Sequence, residues 1–342
     1  MNYVLTAYVW DKALKQVTAE QVRQLTHINI AFGLVKDDRV VTDHLTDMEQ
    51  LSVIRGWNPG IQVLLSVGGW GAGGFSEAAS TAAGRRLFAQ TAAEAATRYG
   101  LDGIDIDWEY PSIGVAGIAS SPADRENFTL LLAELRAALD VLPGRRKLLT
   151  IAAGADKYFL DGTRMEEAER YLDLVQIMTY DMRGGFQTMT GHHTNLYPSS
   201  GDLFRISVDT SVKLFADAGV PYEKIVIGAA FYARKWTGVP NVNDGLFQMT
   251  SAAGGHGAHF DLLDREYINK NGFVRHWDSE ACAPWLFNGD TFFTYDDEQS
   301  LACKARYLMR EGLAGIMYWE HSCDPSGKLL TALYNTLADE EE

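Results

Sequence analysis

The sequence predicts a (β/α)8 (TIM) barrel carrying a small α+β insertion between its seventh and eighth strands, and three observations lead there. Short strand-like runs alternate with helical stretches almost from end to end, about eight such units follow one another, and a single long interval breaks the rhythm before the last strand. Strict alternation implies parallel strands joined by crossover helices. Eight units in 342 residues suit a barrel whose usual length is about 250 residues before insertions. An open doubly wound sheet is the alternative, and it leaves unexplained why reactive and aromatic residues gather at nearly every strand end.

Strands are expected at 3–9 (YVLTAYV), 27–34 (HINIAFGL), 61–67 (IQVLLSV), 101–109, 147–153 (KLLTIAA), 172–180 (LDLVQIMTY), 224–232 (KIVIGAAFY) and 313–319 (LAGIMYW). Each is a short apolar run, as strands buried on both faces require. Helical periodicity marks 18–25, 76–98, 124–141, 205–218, 297–311 and 327–337. Residues 237–295, rich in Gly, Asn, Asp, His and Trp, are nearly sixty residues without a clear helix. That is too long for a βα loop, so they are read as a subdomain, with 1–236 and 296–342 forming the barrel. The terminal Glu-Glu-Glu of 340–342 reads as a solvated tail.

Hydrophobic residues make up 46% and charged residues 22%, as in a soluble globular enzyme. No apolar run is long enough to span a bilayer. A formal net charge of −15 opposes polyanions, which bind through clustered Lys and Arg. Nucleic acid and membrane are therefore not expected partners; a neutral substrate and a monomer are. Cys282, Cys303 and Cys323 are an odd set without CxxC spacing, which fits reduced thiols better than a disulfide framework or a zinc site. Residues 1–9 lack the features of a signal peptide. The expected compartment is cytoplasmic as the sequence stands, and extracellular if a leader has been removed.

Residues 101–110, LDGIDIDWEY, carry the chemistry. Side chains two apart on a strand share a face, so Asp105, Asp107 and Glu109 line one side while Ile104, Ile106 and Trp108 line the other. Three carboxylates among apolar neighbours are costly to bury, and reacting groups in a (β/α)8 barrel sit at the C-terminal strand ends. Glu109, last on this fourth strand, is the expected proton donor. A column of carboxyls cannot ionise fully, so protons are shared and Glu109 stays protonated well above the ~4.3 of a free glutamate. Glycoside hydrolysis usually needs two carboxyls flanking the bond from opposite sides, whereas Asp107 and Glu109 point the same way. This geometry predicts a nucleophile supplied by the substrate, the carbonyl oxygen of a 2-acetamido group, a known exception to the two-carboxylate rule.

LDGIDIDWEY resembles the DGxDxDxE strand of family 18 glycoside hydrolases, with Asp102, Asp105, Asp107 and Glu109 on the four acidic positions. LLSVGGW at 64–70 resembles that family's third strand, QIMTYD at 176–181 its sixth, FYARKW at 231–236 its seventh and GIMYWE at 315–320 its eighth; Ala233 stands where a glycine is common. The resemblance implies that Glu109 is the acid/base, that Asp107 orients the acetamido group, and that Asp105 holds the shared proton, with Tyr8 and Ser66 modulating the column. It implies that Tyr180 donates to the acetamido oxygen, that Met178 and Asp181 flank the sugar, and that Trp319 is its floor. Phe32, Gly69, Trp70, Tyr110, Tyr232, Arg234 and Trp236 are further substrate-binding candidates, with Trp285 beside them. HWD at 276–278, APW at 283–285 and TYDD at 294–297 resemble markers of the α+β insertion that walls the groove in one branch of the family.

The activity so implied is retaining, substrate-assisted, endo-type cleavage of β-1,4 linkages between N-acetylglucosamine units of chitin or chito-oligosaccharides, without cofactor or metal. Two alternatives are an endo-β-N-acetylglucosaminidase acting on N-glycans and a chitin-binding lectin; retention of Glu109 argues against the lectin. A divalent metal on DxDxE is a further alternative, which chelation would test. Gly69, Gly71 and Gly74 match GxGxxG, but the next strand ends about 35 residues later, not the about 20 expected for the ribose-binding acid. His192 and His193 hint at a metal, but no nearby carboxylate or Cys completes a set.

Overall fold

The structure, a computed structural model, describes residues 3–338, so the acidic residues 340–342 lie outside the described residues. Fourteen strands and eleven α-helices are assigned among those residues. The barrel strands are β1 (Val4–Trp10), β2 (His27–Lys36), β4 (Gln62–Gly68), β5 (Gly103–Asp107), β6 (Leu148–Gly154), β7 (Leu174–Met178), β8 (Ile225–Ala230) and β14 (Gly315–Trp319), with β3 (Arg39–Val41) an antiparallel extension on β2. They pair in the order β1-β14-β8-β7-β6-β5-β4-β2, and β1 pairs again with β2, closing an all-parallel barrel. Their outward side chains, such as Ile104 and Ile106, are fully buried beneath the helical ring, the arrangement that such apolar runs require.

That ring includes α1 (Ala19–Gln24), α2 (Gln50–Trp57), α3 (Phe75–Ser80), α4 (Ala82–Arg98), α5 (Asp124–Asp140), α6 (Lys157–Asp161), α7 (Met165–Ala168), α8 (Val208–Asp217), and, after α9 (Phe260–Leu262) of the insertion, α10 (Glu298–Glu311) and α11 (Lys328–Ala338). The single helix expected over 76–98 is two helices, because Thr81 is extended and its side chain caps the second by accepting from Gly84 N. The short helix α2 has no counterpart among the expected elements.

Two strand ends differ from expectation. The fourth barrel strand stops at Asp107, whose register partner is Gly68, and Trp108 and Glu109 continue past the pairing. The expected strand over 224–232 is two strands separated at Phe231, whose N–H bonds Trp319 O while its carbonyl accepts from Phe260 N. Tyr232–Trp236 is β9 of a second sheet, with β10 (Gly255–His259), β11 (Val274–Asp278), β12 (Ala283–Phe287) and β13 (Phe292–Thr294), in the order β10-β9-β13-β12-β11. This antiparallel sheet therefore begins at 232, inside the stretch assigned to the barrel.

A second long irregular segment, 179–207, follows β7 and was not anticipated. It leans on the insertion through Thr190 N to Gln248 O (2.9 Å), Thr250 N to Thr188 O (2.7 Å) and Gly254 N to Gln187 O (3.1 Å). Where the chain returns to the barrel, Lys304 and Asp296 form a wholly buried ion pair at 2.6 Å. The Asp296 carboxylate also accepts from Thr194 Oγ1 (3.1 Å) and Ala230 N (3.1 Å), joining this segment, the end of β8 and α10.

Candidate active site

At the barrel axis, Asp105 is fully buried and collects four donors from four other strands. Tyr8 Oη (2.8 Å, β1) and Ser66 Oγ (2.8 Å, β4) donate to Oδ2; Thr150 Oγ1 (2.6 Å, β6) and Gln176 Nε2 (3.0 Å, β7) donate to Oδ1. Burial pushes the Asp105 carboxyl upward against the pull of these four bonds. Asp107, one pleat nearer the mouth, is 4% exposed, and its Oδ1 is buried without a hydrogen-bond partner among the described residues. Its carboxyl is held well above the usual range, first by burial and then by the negative charges of Glu109 and Asp105. No hydrogen bond joins Asp105 to Asp107 or Asp107 to Glu109 among the described residues, so these carboxyls couple through space.

Glu109 is 8% exposed. Burial raises its carboxyl to about 7, the bond with Tyr110 works the other way, and the charge of Asp181 adds to the rise. A carboxylic acid that keeps its proton near neutrality can donate it to a leaving oxygen. Tyr180, from the end of β7, places its hydroxyl 3.8 Å from Met317 Sδ, and Met178, Tyr8 and Met317 pack in one cluster with Tyr180 and Trp319 against it.

Asp181 has a left-handed φ of 56°. Arg234 grips its carboxylate in a fork, with Nε at 2.6 Å from Oδ1, and His193 Nδ1 lies 3.5 Å from Oδ1. Desolvation alone would raise the Asp181 carboxyl, but bonds from His193 and Arg234 outweigh it and hold it well below the usual range. His192 meets Asp278 at 3.2 Å. Each histidine of the pair thus finds a carboxylate that sequence proximity did not reveal, yet no group of three or more metal-ligating side chains occurs among the described residues.

Aromatic rings surround the column at the strand ends. Trp319 stacks with Phe32 (5.5 Å between centroids, 19°) and leans on Tyr8 (5.8 Å). Gly69 has φ 93°, and a Cβ there would come within 2.7 Å of the Phe32 ring, so only glycine lets Phe32 sit where it does. Trp70, 54% exposed, lies edge-on to Tyr110 at 6.5 Å.

Residues 4–324 match the model of glycosyl hydrolases family 18. The chain belongs to that family. It is similar to a solved family 18 N-acetylglucosaminidase from Paenibacillus barengoltzii, with 60% identity and a TM-score of 0.97 over 98% of this chain and 100% of the other. It is 36% identical to chitinase A1 of Niallia circulans over 84% of this chain and 44% of that protein. A probable endochitinase of Caenorhabditis elegans is 30% identical over 92% of this chain and 55% of the other. The chain therefore spans about half the length of these curated relatives.

Within this family 18 barrel, Tyr8, Phe32, Ser66, Gly69, Trp70, Asp105, Asp107, Glu109, Tyr110, Met178, Tyr180, Asp181, Arg234 and Trp319 converge on the mouth or the column beneath it. Tyr232 reaches it too, edge-on to Tyr180 at 6.2 Å. Trp236 does not. It is 2% exposed, packs with Val239, Leu246, Trp285, Phe287 and Phe292 in the core of the second sheet, and donates its indole N–H to Gln187 O. Trp285 lies in the same core, stacked on His276. The lining role expected of both gives way to packing, since the small sheet needs an apolar core of its own.

Sequence reading missed three contributors. Thr150 and Gln176 are polar residues inside otherwise apolar strands, and that exception was their available signal. Phe186, on the unanticipated 179–207 segment, is 81% exposed and lies 6.4 Å from Trp70; nothing local distinguishes it.

Proposed function

We propose that this chain is a retaining glycoside hydrolase that cleaves β-1,4 linkages between N-acetylglucosamine units of chitin or chito-oligosaccharides, using the substrate's own 2-acetamido oxygen as nucleophile. The observation that carries this reading is a buried Glu109 protonated near neutrality beside Asp107, whose Oδ1 is buried without a donor. Turned toward the sugar, the Asp107 carboxyl takes the acetamido N–H as its donor. As Glu109 gives its proton to the departing oxygen, the acetamido carbonyl oxygen attacks the anomeric carbon from the other face and closes an oxazolinium ring. Asp107 stabilises the positive charge, and Tyr180 orients the carbonyl. Water, deprotonated by the Glu109 carboxylate, then opens the ring with retention. Trp319 offers the apolar sugar face a plate.

The names of the curated relatives support chitin-type substrates. The second sheet, carrying Arg234 against Asp181, supports a wall along the groove and favours chitin over N-glycans. Net charge supports a neutral partner, and no helix among the described residues is long and apolar enough to cross a membrane.

The test compares fully acetylated and deacetylated chito-oligosaccharides with wild type and Glu109→Gln. Acetylated oligomers are hydrolysed, deacetylated ones are not, and Glu109→Gln loses about 10²–10⁴-fold in rate while its circular dichroism is unchanged. Equal rates on both substrates would refute substrate assistance.

A further inference from the structure

Glu109 follows β5, which lies diametrically opposite β14 and Trp319 in the strand order. A leaving group that takes its proton from Glu109 departs on that side, over the exposed Trp70 and Phe186, whose rings lie 6.4 Å apart and tilted by 57°. Sugars joined to the non-reducing end must instead pass the edge of Trp319 facing away from Glu109.

Trp10 stands there. It is the last residue of β1, between the strands that carry Trp319 and Phe32. Its ring is 5.4 Å from Trp319 at 71° and 5.4 Å from Phe32 at 90°, and it is 43% exposed. Its edge-on contacts make it a barrier and not a continuation of the Trp319 plate.

The barrier is fixed from both sides. The next residue, Asp11, is buried and accepts from Thr46 N (2.9 Å), Thr46 Oγ1 (3.2 Å) and Asp47 N (3.1 Å). The Phe32 carbonyl is bonded by His44 Nε2 at 2.8 Å, and its ring is confined by Gly69. These bonds fix the backbone that carries Trp10 and the Phe32 ring against which it leans.

Resting on the hydrolase reading above, we infer that Trp10 blocks the non-reducing side of the cleaved sugar and is a specificity-determining residue: cleavage releases single N-acetylglucosamine units from chain ends, where the family resemblance implies endo-type cleavage. Trp10 touches the neighbouring rings and excludes the next sugar; it takes no part in proton transfer.

The experiment uses 4-methylumbelliferyl β-glycosides of N-acetylglucosamine and of its β-1,4 disaccharide, with products resolved by chromatography. Wild type should release monosaccharide from both and intact disaccharide at least about tenfold more slowly than it cleaves the monosaccharide glycoside. Trp10→Ala should raise the ratio of intact disaccharide to monosaccharide release by about tenfold, and Trp10→Phe should leave it near wild type. Both rates come from one preparation, so any loss of folded protein cancels in the ratio. Faster release of intact disaccharide by wild type, or an unchanged ratio in Trp10→Ala, overturns the inference and leaves the hydrolase reading standing. Failure of every acetylated substrate to turn over removes the hydrolase reading itself, and the inference with it.

Discussion

The protonation of Glu109 makes the pH profile of hydrolysis a direct test of the site. Its carboxyl stands at about 7 against an ordinary 4.5, a difference worth about 3 kcal/mol of selective destabilisation of the carboxylate. The acid must carry its proton when the bond breaks, so kcat/KM holds up to about pH 7 and falls about tenfold per unit above it. Asp181 contributes to the rise through its negative charge. Replacing it in Asp181→Asn leaves the Arg234 guanidinium uncompensated beside the site, which favours the Glu109 carboxylate. The alkaline limb should move to lower pH by at least about half a unit, whatever the variant does to the absolute rate. Initial rates from pH 4 to 9, read as released 4-methylumbelliferone after quenching in alkali, measure both limbs. A wild-type limb near 4.5, or one that Asp181→Asn leaves in place or moves upward, would refute the assignment of Glu109 as an acid tuned by burial and by Asp181.

Two further outcomes concern stability. Lys304→Met strands the buried Asp296 carboxylate and should cost about 3–5 kcal/mol, seen as a lowered calorimetric midpoint; Lys304→Met with Asp296→Asn should recover much of it, and a double variant as unstable as the single one would count against the pairing. Burial lowers His321 from 6.5 to about 4; its ring meets Tyr318 Oη at 2.8 Å and Gln21 Oε1 at 3.2 Å. The unfolded chain takes up this proton first, so stability falls as pH drops from about 6.5 towards 4, by roughly 3 kcal/mol in full. Urea unfolding at both ends of that window should show His321→Gln losing correspondingly less than wild type; equal losses would exclude His321 as the source.

The barrel was legible because its strands are short apolar runs whose inward and outward faces are both buried, a pattern that leaves few other folds. The acidic column was legible because a period of two places Asp105, Asp107 and Glu109 together whatever surrounds them. What sequence could not supply was the partnering. Asp105 proves to be held by four donors brought from residues 8, 66, 150 and 176, and only closure of the sheet makes them neighbours. Trp236 and Trp285 were misplaced for a similar reason, since a tryptophan suits a sugar groove and a small sheet's core equally well, and tertiary packing alone decides between them. The seventh strand was drawn too long because Phe231, where the chain changes sheets, is as apolar as its neighbours.

The four donors around Asp105 also bear on how the molecule is made. In a strand, a slip of one residue exchanges every side chain with its neighbour on the opposite face. Were β4 to close one step out of register, Leu65 or Val67 would replace Ser66 at the axis, and comparable slips would withdraw Thr150 or Gln176. Compact but miswound chains of this kind could resemble the native molecule in size and secondary structure while catalysing nothing. Specific activity per mole of soluble protein should therefore serve as a gauge of correct winding during refolding, sharper than any bulk spectroscopic signal.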